Sequence, residues 1–297
     1  MVRRMNEAMK AFEERLENAG RSEQTRIAYI RDVERFRRFL IEERNSEPSL
    51  AFITEEDIER YLAYCLKVRH ITPQSRNRYL TAIMRFFAFC VKKKWLEKNP
   101  AEDIDQIRTH RKPRHALTAS EFERLFEHIR HLDAKVALMF MLTTGVRVSE
   151  ALSIRLQDVD FEREQVIVTG KGNKQRVIPL SKGNVEMLAD YLDNIRDADS
   201  EKLFALKKTG SFSSVYLNRL LNEAREKAGI ERHVTNHILR HTFATHLLKE
   251  GVDISVLQKL MGHNSLRTTA VYLHHRDEDL RAAMGKMNMP IRRDGDE

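Results

Sequence analysis

Between Thr235 and His274 the chain reads TNHILRHTFATHLLKEGVDISVLQKLMGHNSLRTTAVYLH, and His237, Arg240, His263 and Tyr272 fall along consecutive short helical patterns. Two histidines, an arginine and a tyrosine in that order suit attack on a phosphodiester without a metal. Such a reaction loads charge onto two non-bridging oxygens, which preorganised positive donors must offset. Arginine serves best, because its planar fork matches phosphate and stays protonated. The nucleophile needs a hydroxyl, and the leaving 5′ oxygen needs a proton from a general acid. Arg240 and, upstream, Arg147 can supply the clamp.

The elements that must position these groups are legible nearby. His237 and Arg240 project from one face of a helix capped near Thr235, since residues three apart share a face. Gly251 ends that helix, Asp253 starts the next and Gly262 ends it, so His263 lies just past a helix terminus. Tyr272 falls on or after a third short segment that begins near Ser265. Arg147 follows a helix break at Gly145, and Lys171 occupies the tip of a GKGNK turn whose glycines permit close approach to a groove. Singly, each has an ordinary reading: a surface arginine, a helix-surface His-x-x-Arg pair, a solvated hairpin lysine, a packed tyrosine. The 237/241 histidine pair, with His246, has helical metal-ligand spacing, but Ile238 follows His237 where a zinc-peptidase motif needs glutamate. No acidic or cysteine cluster completes a site, so no metal is expected.

The N-terminal third reads as helices. Tyr29, Ile30, Val33, Phe36 and Leu40 form one apolar stripe between Ser22 and Arg44, and Asn6 to Ala19 reads as a helix ending near Gly20. Thr54 opens a capping box with Asp57, and Thr72-Pro73 starts a helix with Tyr79, Leu80, Ile83, Phe86 and Phe87 on its buried face. Asn99-Pro100 ends this bundle. The stretch AEDIDQIRTHRKPRHA lacks periodicity and reads as a basic connector. A second domain opens at the Thr118/Glu121 capping box, continues through helices Glu121 to Arg130 and Asp133 to Thr144, and includes the β-hairpin QVIVTG-KGNK-QRVIPL before turning helical again. The expected division is residues 1–98, a connector at 99–115, and 116–297 with a C-terminal tail.

The 297 residues suffice for two cores, and a net charge of +8 favours a polyanionic partner, nucleic acid or an anionic surface. Most of that excess lies in the first 115 residues, with 25 Lys and Arg against 18 Asp and Glu. The longest apolar run, Val136 to Leu142, is too short to span a bilayer, and MVRRMNEAMK leads into no secretory segment. A cytoplasmic protein is expected, with Cys65 and Cys90 as reduced core residues.

Four segments in order settle the reading: TGVRVSEAL (Thr144 to Leu152), GKGNKQRVIPL (Gly170 to Leu180), HILRHTFATHLL (His237 to Leu248) and LMGHNSLRTTAVY (Leu260 to Tyr272). They resemble the defining boxes of the tyrosine recombinase (integrase) family of site-specific DNA recombinases, closest to its Xer branch. The resemblance implies a mainly α protein with the DNA breaking-rejoining fold: an N-terminal four-helix, SAM-like core-binding bundle and a mostly helical catalytic domain with a small antiparallel sheet. It implies that Arg147 and Arg240 grip the scissile phosphate and that Lys171 protonates the leaving oxygen. His237 and His263 would assist proton transfer, Tyr272 would form a 3′-phosphotyrosyl bond, and Glu150 would support the site. No cofactor, ATP or metal is implied. Arg76, Arg78, Arg111, Lys112 and Arg114 are candidate DNA contacts. The implied partners are duplex DNA with an inverted-repeat site, three further protomers or copies of a paralogue, and an accessory DNA translocase. Met284, Met287 and Met289 would anchor the tail on a neighbour. Asn236, where proline commonly precedes the histidine, and Leu273, where threonine often follows the tyrosine, depart from the pattern without touching a catalytic group. The rival readings are a mobile-element or phage integrase of the same chemistry, a type IB topoisomerase, and a catalytically dead DNA-binding protein.

Overall fold

In the computed structural model, residues 3–109, 115–170 and 172–262 are described. The chain divides into two compact units, Met1–Lys112 and Pro113–Glu297.

The first unit is built on α1 (Met5–Asn18), α2 (Glu23–Arg44), α3 (Glu55–Lys67) and α4 (Pro73–Lys92). Their starts follow the chemistry read from the sequence. Thr54 Oγ1 accepts the Asp57 N–H while Asp57 Oδ2 accepts the Thr54 N–H at 2.9 Å, and Thr72 Oγ1 accepts the Ser75 N–H at 3.2 Å. The apolar faces meet in an aromatic core of Phe36, Tyr61, Phe86 and Phe87, with the Phe36 and Tyr61 rings 5.2 Å apart and tilted. Cys65 and Cys90 lie in this core as free thiols. Burial pushes both thiols up, Cys90 to about 12, which keeps them protonated and unreactive.

The first part of the stretch read as a basic connector packs on this unit. Ala101 and Ile104 are buried in its core. The Asn77 amide clamps the backbone of Ile107 on both sides, accepting its N–H at 3.0 Å and donating to its carbonyl at 2.7 Å. Two apolar residues three apart were too few to reveal this in the sequence.

The second unit begins with α5 (Ala119–Glu127), capped by the Thr118/Glu121 box, and α6 (Leu132–Thr144), which is apolar on most sides and buried. A short α7 (Val148–Ala151) follows. Strands β1 (Val159–Asp160), β2 (Gln165–Thr169) and β3 (Gln175–Pro179) form an antiparallel sheet in that order, with Val166 opposite Ile178 and Val168 opposite Arg176. The β2–β3 pair is the expected hairpin; β1 is too short to leave a period-2 signal. Helices α8 (Lys182–Asp190), α9 (Ser214–Lys227), α10 (Asn236–Lys249) and α11 (Ile254–Met261) follow among the described residues, and α10 packs along α6. Among the described residues no helix is long and apolar enough to cross a membrane.

Candidate active site

The site grows from the place where α6 stops. Gly145 ends that helix at φ +66°, and a Cβ there would stand 2.2 Å from Phe243 on α10. Only glycine satisfies both the backbone conformation and the close approach of the two helices. The chain then turns into α7, with Arg147 at its N-cap. Glu150, three residues on, accepts the Arg147 backbone N–H on Oε2 at 2.9 Å and the Arg147 guanidinium on Oε1 at 2.7 Å. One carboxylate thus fixes both the main chain and the side chain of that arginine.

Two more arginines reach the same carboxylate. Arg176 of β3 donates to Glu150 Oε2 at 2.8 Å, and Arg240 Nη1 lies 3.9 Å from that oxygen. Arg240 also donates to the Gly145 carbonyl and to the Met261 carbonyl, the latter at 2.6 Å. Arg147 Nη1 lies 3.5 Å from the Met261 carbonyl, and Arg176 Nε donates to the Leu260 carbonyl at 3.1 Å. The carbonyl end of α11, where a helix carries partial negative charge, therefore faces all three guanidinium groups.

Charge and exposure give the cluster its direction. Among the described residues three cations share one carboxylate, which leaves positive charge in excess among them. Side-chain exposure rises from 3% at Glu150 and 6% at Arg240 to 16% at Arg176 and 36% at Arg147, so the cluster opens to solvent on the Arg147 side. Burial pushes the Glu150 carboxyl up, but the hydrogen bonds from Arg176 and from the Arg147 N–H outweigh it and hold the group below its ordinary value. Glu150 is an anion that preorganises cations. The arrangement is suited to receiving a phosphate.

His237 is exposed in the first turn of α10, on the same helix face as Arg240. Thr235 holds the N-cap position without a side-chain capping bond. The start of α10 is fixed instead by buried Asn236, whose backbone N–H donates to Asn218 Oδ1 at 2.9 Å and whose Nδ2 donates to the Ser214 carbonyl at 3.2 Å, both on α9. The departure at Asn236 is thus a structural tie. His241 is buried in the same helix, and no group of three or more His, Cys, Asp or Glu among the described residues is placed to share a metal.

The hairpin tip closes through the Gly170 N–H on the Lys174 carbonyl at 2.8 Å, with Gly172 and Asn173 at φ +78° and +59°. Lys174 is exposed. Lys171, His263 and Tyr272 lie outside the described residues, as do Arg111, Lys112, Arg114, Leu273, Met284, Met287 and Met289. The structure therefore brings together Arg147, Glu150 and Arg240, with His237 on the helix of the last.

In the first unit, Arg76 donates to the Asp105 carbonyl at 2.6 Å and straps the segment after α4 to that helix. Arg78 pairs with Asp32, which also accepts from Arg35 at 3.2 Å, and the Arg78 guanidinium lies 4.8 Å from the Tyr79 ring centre.

Sequence reasoning missed Arg176. A signal was available: the alternation of the hairpin puts it in phase with buried Ile178. A charge on the inward face of a strand requires a buried partner.

Comparison with known proteins finds relatives of the chain. The model of the phage integrase family matches residues 115–279, and that of the phage integrase N-terminal SAM-like domain matches residues 9–97. A tyrosine recombinase XerC of Oceanobacillus iheyensis is 36% identical over 205 residues, covering 65% of this chain and 67% of that protein. A tyrosine recombinase XerA of Thermococcus onnurineus is 37% identical over 197 residues, covering 63% and 69%. Among solved structures, a XerA recombinase aligns over 96% of this chain and 99% of its own, at 30% identity and a TM-score of 0.52. A XerH recombinase bound to its difH substrate shares the fold at 22% identity and a TM-score of 0.70, over 94% of this chain and 83% of its own.

Proposed function

The chain belongs to the phage integrase family and is an Xer-like tyrosine recombinase; from that premise we propose that it cuts and rejoins duplex DNA at specific sites through a covalent tyrosine intermediate. Arg147 and Arg240 neutralise the non-bridging oxygens of the scissile phosphate. The Tyr272 hydroxyl attacks phosphorus, the P–O5′ bond breaks, and Lys171 delivers a proton to the departing 5′ oxygen. His237 and His263 bond the phosphate and relay the tyrosine proton. A 5′ hydroxyl from the partner duplex then attacks the 3′-phosphotyrosyl bond and releases Tyr272. The covalent bond retains the energy of the phosphodiester, so the two steps draw on neither ATP nor a metal.

The observation that carries this reading is the buried Glu150 carboxylate, which holds Arg147 by side chain and backbone with Arg240 alongside. Excess cationic charge opening to solvent is what a phosphodiester requires and what a purely structural ion pair does not. We extend the proposal to a tetramer on two inverted-repeat sites, of one chain or with a paralogue, acting in the cytoplasm in resolution of chromosome or plasmid dimers, with an accessory DNA translocase.

The test is a nicked suicide duplex carrying the recognition site, incubated with chelator. The wild type should form a covalent protein–DNA adduct and Tyr272→Phe none. An adduct that persists in Tyr272→Phe overturns the nucleophile; strict dependence on a divalent cation overturns the metal-free chemistry. Lys171→Ala should be slow on ordinary DNA and recover when sulfur replaces the leaving oxygen, which needs little protonation. Without recovery the acid is another group, Lys174 first.

A further inference from the structure

We propose that Arg176 is a positioning residue for strand cleavage, holding Glu150 and the carbonyl end of α11 so that Arg147 and Arg240 stand ready for the phosphate. The inference rests on the recombinase reading and adds a residue to it.

Arg176 lies on the inward face of β3, opposite Val168 and in phase with buried Ile178. A guanidinium in that position must find its bonds within the protein. It finds them on Glu150 Oε2 and on the Leu260 carbonyl. The clamp rests on the same two supports. Glu150 orients Arg147, and the Met261 carbonyl, next along from Leu260, accepts from Arg240 and is approached by Arg147. Arg176 therefore joins the carboxylate to the helix end, and each of the other arginines touches both.

Two glycines mark how closely the chain is drawn onto this strut. A Cβ at Gly262, which ends α11 at φ +61°, would stand 2.9 Å from Arg176 Nη1. A Cβ at Gly170, where the hairpin turn begins, would stand 3.4 Å from Glu150 Oε1 and 3.7 Å from Arg176 Nη1. Hairpin, carboxylate and helix end all pack against one guanidinium.

Charge reinforces the geometry. With Arg176 in place, Glu150 is shared and Arg147 keeps positive charge to offer. Without it, the carboxylate turns fully to Arg147, the most open of the three, and the Leu260 carbonyl loses its donor. Lysine cannot restore both bonds, because a single ammonium lacks the fork.

The test uses the full chain with Arg176→Gln and Arg176→Lys, in single-turnover cleavage of the suicide duplex. Arg176→Gln should cleave about 100-fold more slowly, the scale of loss for a clamp displaced by an ångström. DNA affinity should stay within about threefold, and Arg176→Lys should recover part of the rate. On a duplex whose scissile phosphate is a neutral methylphosphonate, the deficit should shrink, since less charge awaits the clamp. A loss through general loosening would be equal on both substrates, and that equality overturns the proposal. So does a rate for either variant within about threefold of wild type on ordinary DNA. Should Arg176→Gln fail to fold, Arg176→Lys decides by the same two-substrate comparison. A wild type that forms no adduct overturns the recombinase reading and the catalytic role of Arg176 with it; a wild-type adduct with unimpaired variants overturns the role of Arg176 alone.

Discussion

The Gly145 carbonyl accepts a hydrogen bond from Arg240, tying the end of α6 to the N-terminal part of α10 across 95 residues of sequence. The same glycine carries a positive φ and faces the Phe243 ring where a Cβ would fit only by displacing it. Gly145→Ala should therefore lower stability by about 1–3 kcal/mol for the left-handed backbone alone, with the Phe243 clash adding to it. Urea unfolding measures the loss, and suicide-substrate cleavage should fall with it as Arg240 shifts. A variant as stable as wild type would mean that the two helices do not meet at this residue.

Arg240 and Arg147 should separate when each is replaced by alanine. Arg240 is buried and donates to two main-chain carbonyls, so its loss should reduce stability by about 1–3 kcal/mol for each orphaned acceptor that water cannot reach. Arg147 is more open, and its loss should act mainly on chemistry, by about 10²–10³-fold in cleavage rate. Thermal melting alongside single-turnover cleavage distinguishes them. Equal melting temperatures would contradict the buried role of Arg240.

Glu150 sets a pH dependence. Its folded carboxyl lies below the ordinary value of 4.5, the net result of burial raising it and Arg176 and the Arg147 N–H lowering it further. The unfolded chain thus binds the proton first on acidification. The stabilisation is fully present above the ordinary value and is lost as pH falls through the lower folded value. Wild type minus Glu150→Gln, measured by urea unfolding, should be constant near neutrality and shrink only below about pH 4.5. A difference that grows on acidification would reverse the sign of the shift.

Asn236 occupies the first position of α10, where proline is otherwise favourable because its missing N–H is seldom used. Here the N–H is used, on Asn218, and the side-chain amide holds Ser214. Asn236→Pro should lower stability by about 1–2 kcal/mol, one to two hydrogen bonds less the helix-start preference. Asn236→Ala keeps the backbone bond and loses only the side-chain amide's, so it should fall between. A more stable proline variant would show that the tie to α9 is dispensable.

How much of this was readable in advance depends on what signalled it. Thr54, Thr72 and Thr118 announced their helices because capping is local chemistry written within four residues. Arg147, Glu150 and Arg240 were legible through their motifs, although nothing local indicated that one carboxylate would gather them. Arg176 was hidden because its partners, Glu150 and Leu260, lie 26 and 84 residues away. Only the phase of the strand pointed inward. The strap at residues 99–107 was hidden for a related reason: it is held by Asn77 and Arg76 acting on backbone, which leaves no periodicity to read.

That strap separates two arginines that the sequence set side by side as DNA contacts. Arg76 is half-buried and committed to the Asp105 carbonyl, and that partial burial lowers its proton affinity. Arg78 is 44% exposed, anchored by the buried Asp32 carboxylate with part of its surface still open to a phosphate. Each phosphate contact removed lowers the slope of log affinity against log salt by about one. Arg78→Ala should produce that change in a titration of duplex DNA across salt concentrations, with affinity falling evenly over sequences. Arg76→Ala should leave the slope unaltered and instead lower the melting temperature, as the segment after α4 loses its hold. The reverse pattern, a changed slope for Arg76→Ala and none for Arg78→Ala, would reassign the contact. The two positions are only two residues apart on α4, so what decides between them is which guanidinium the protein has already occupied with its own backbone.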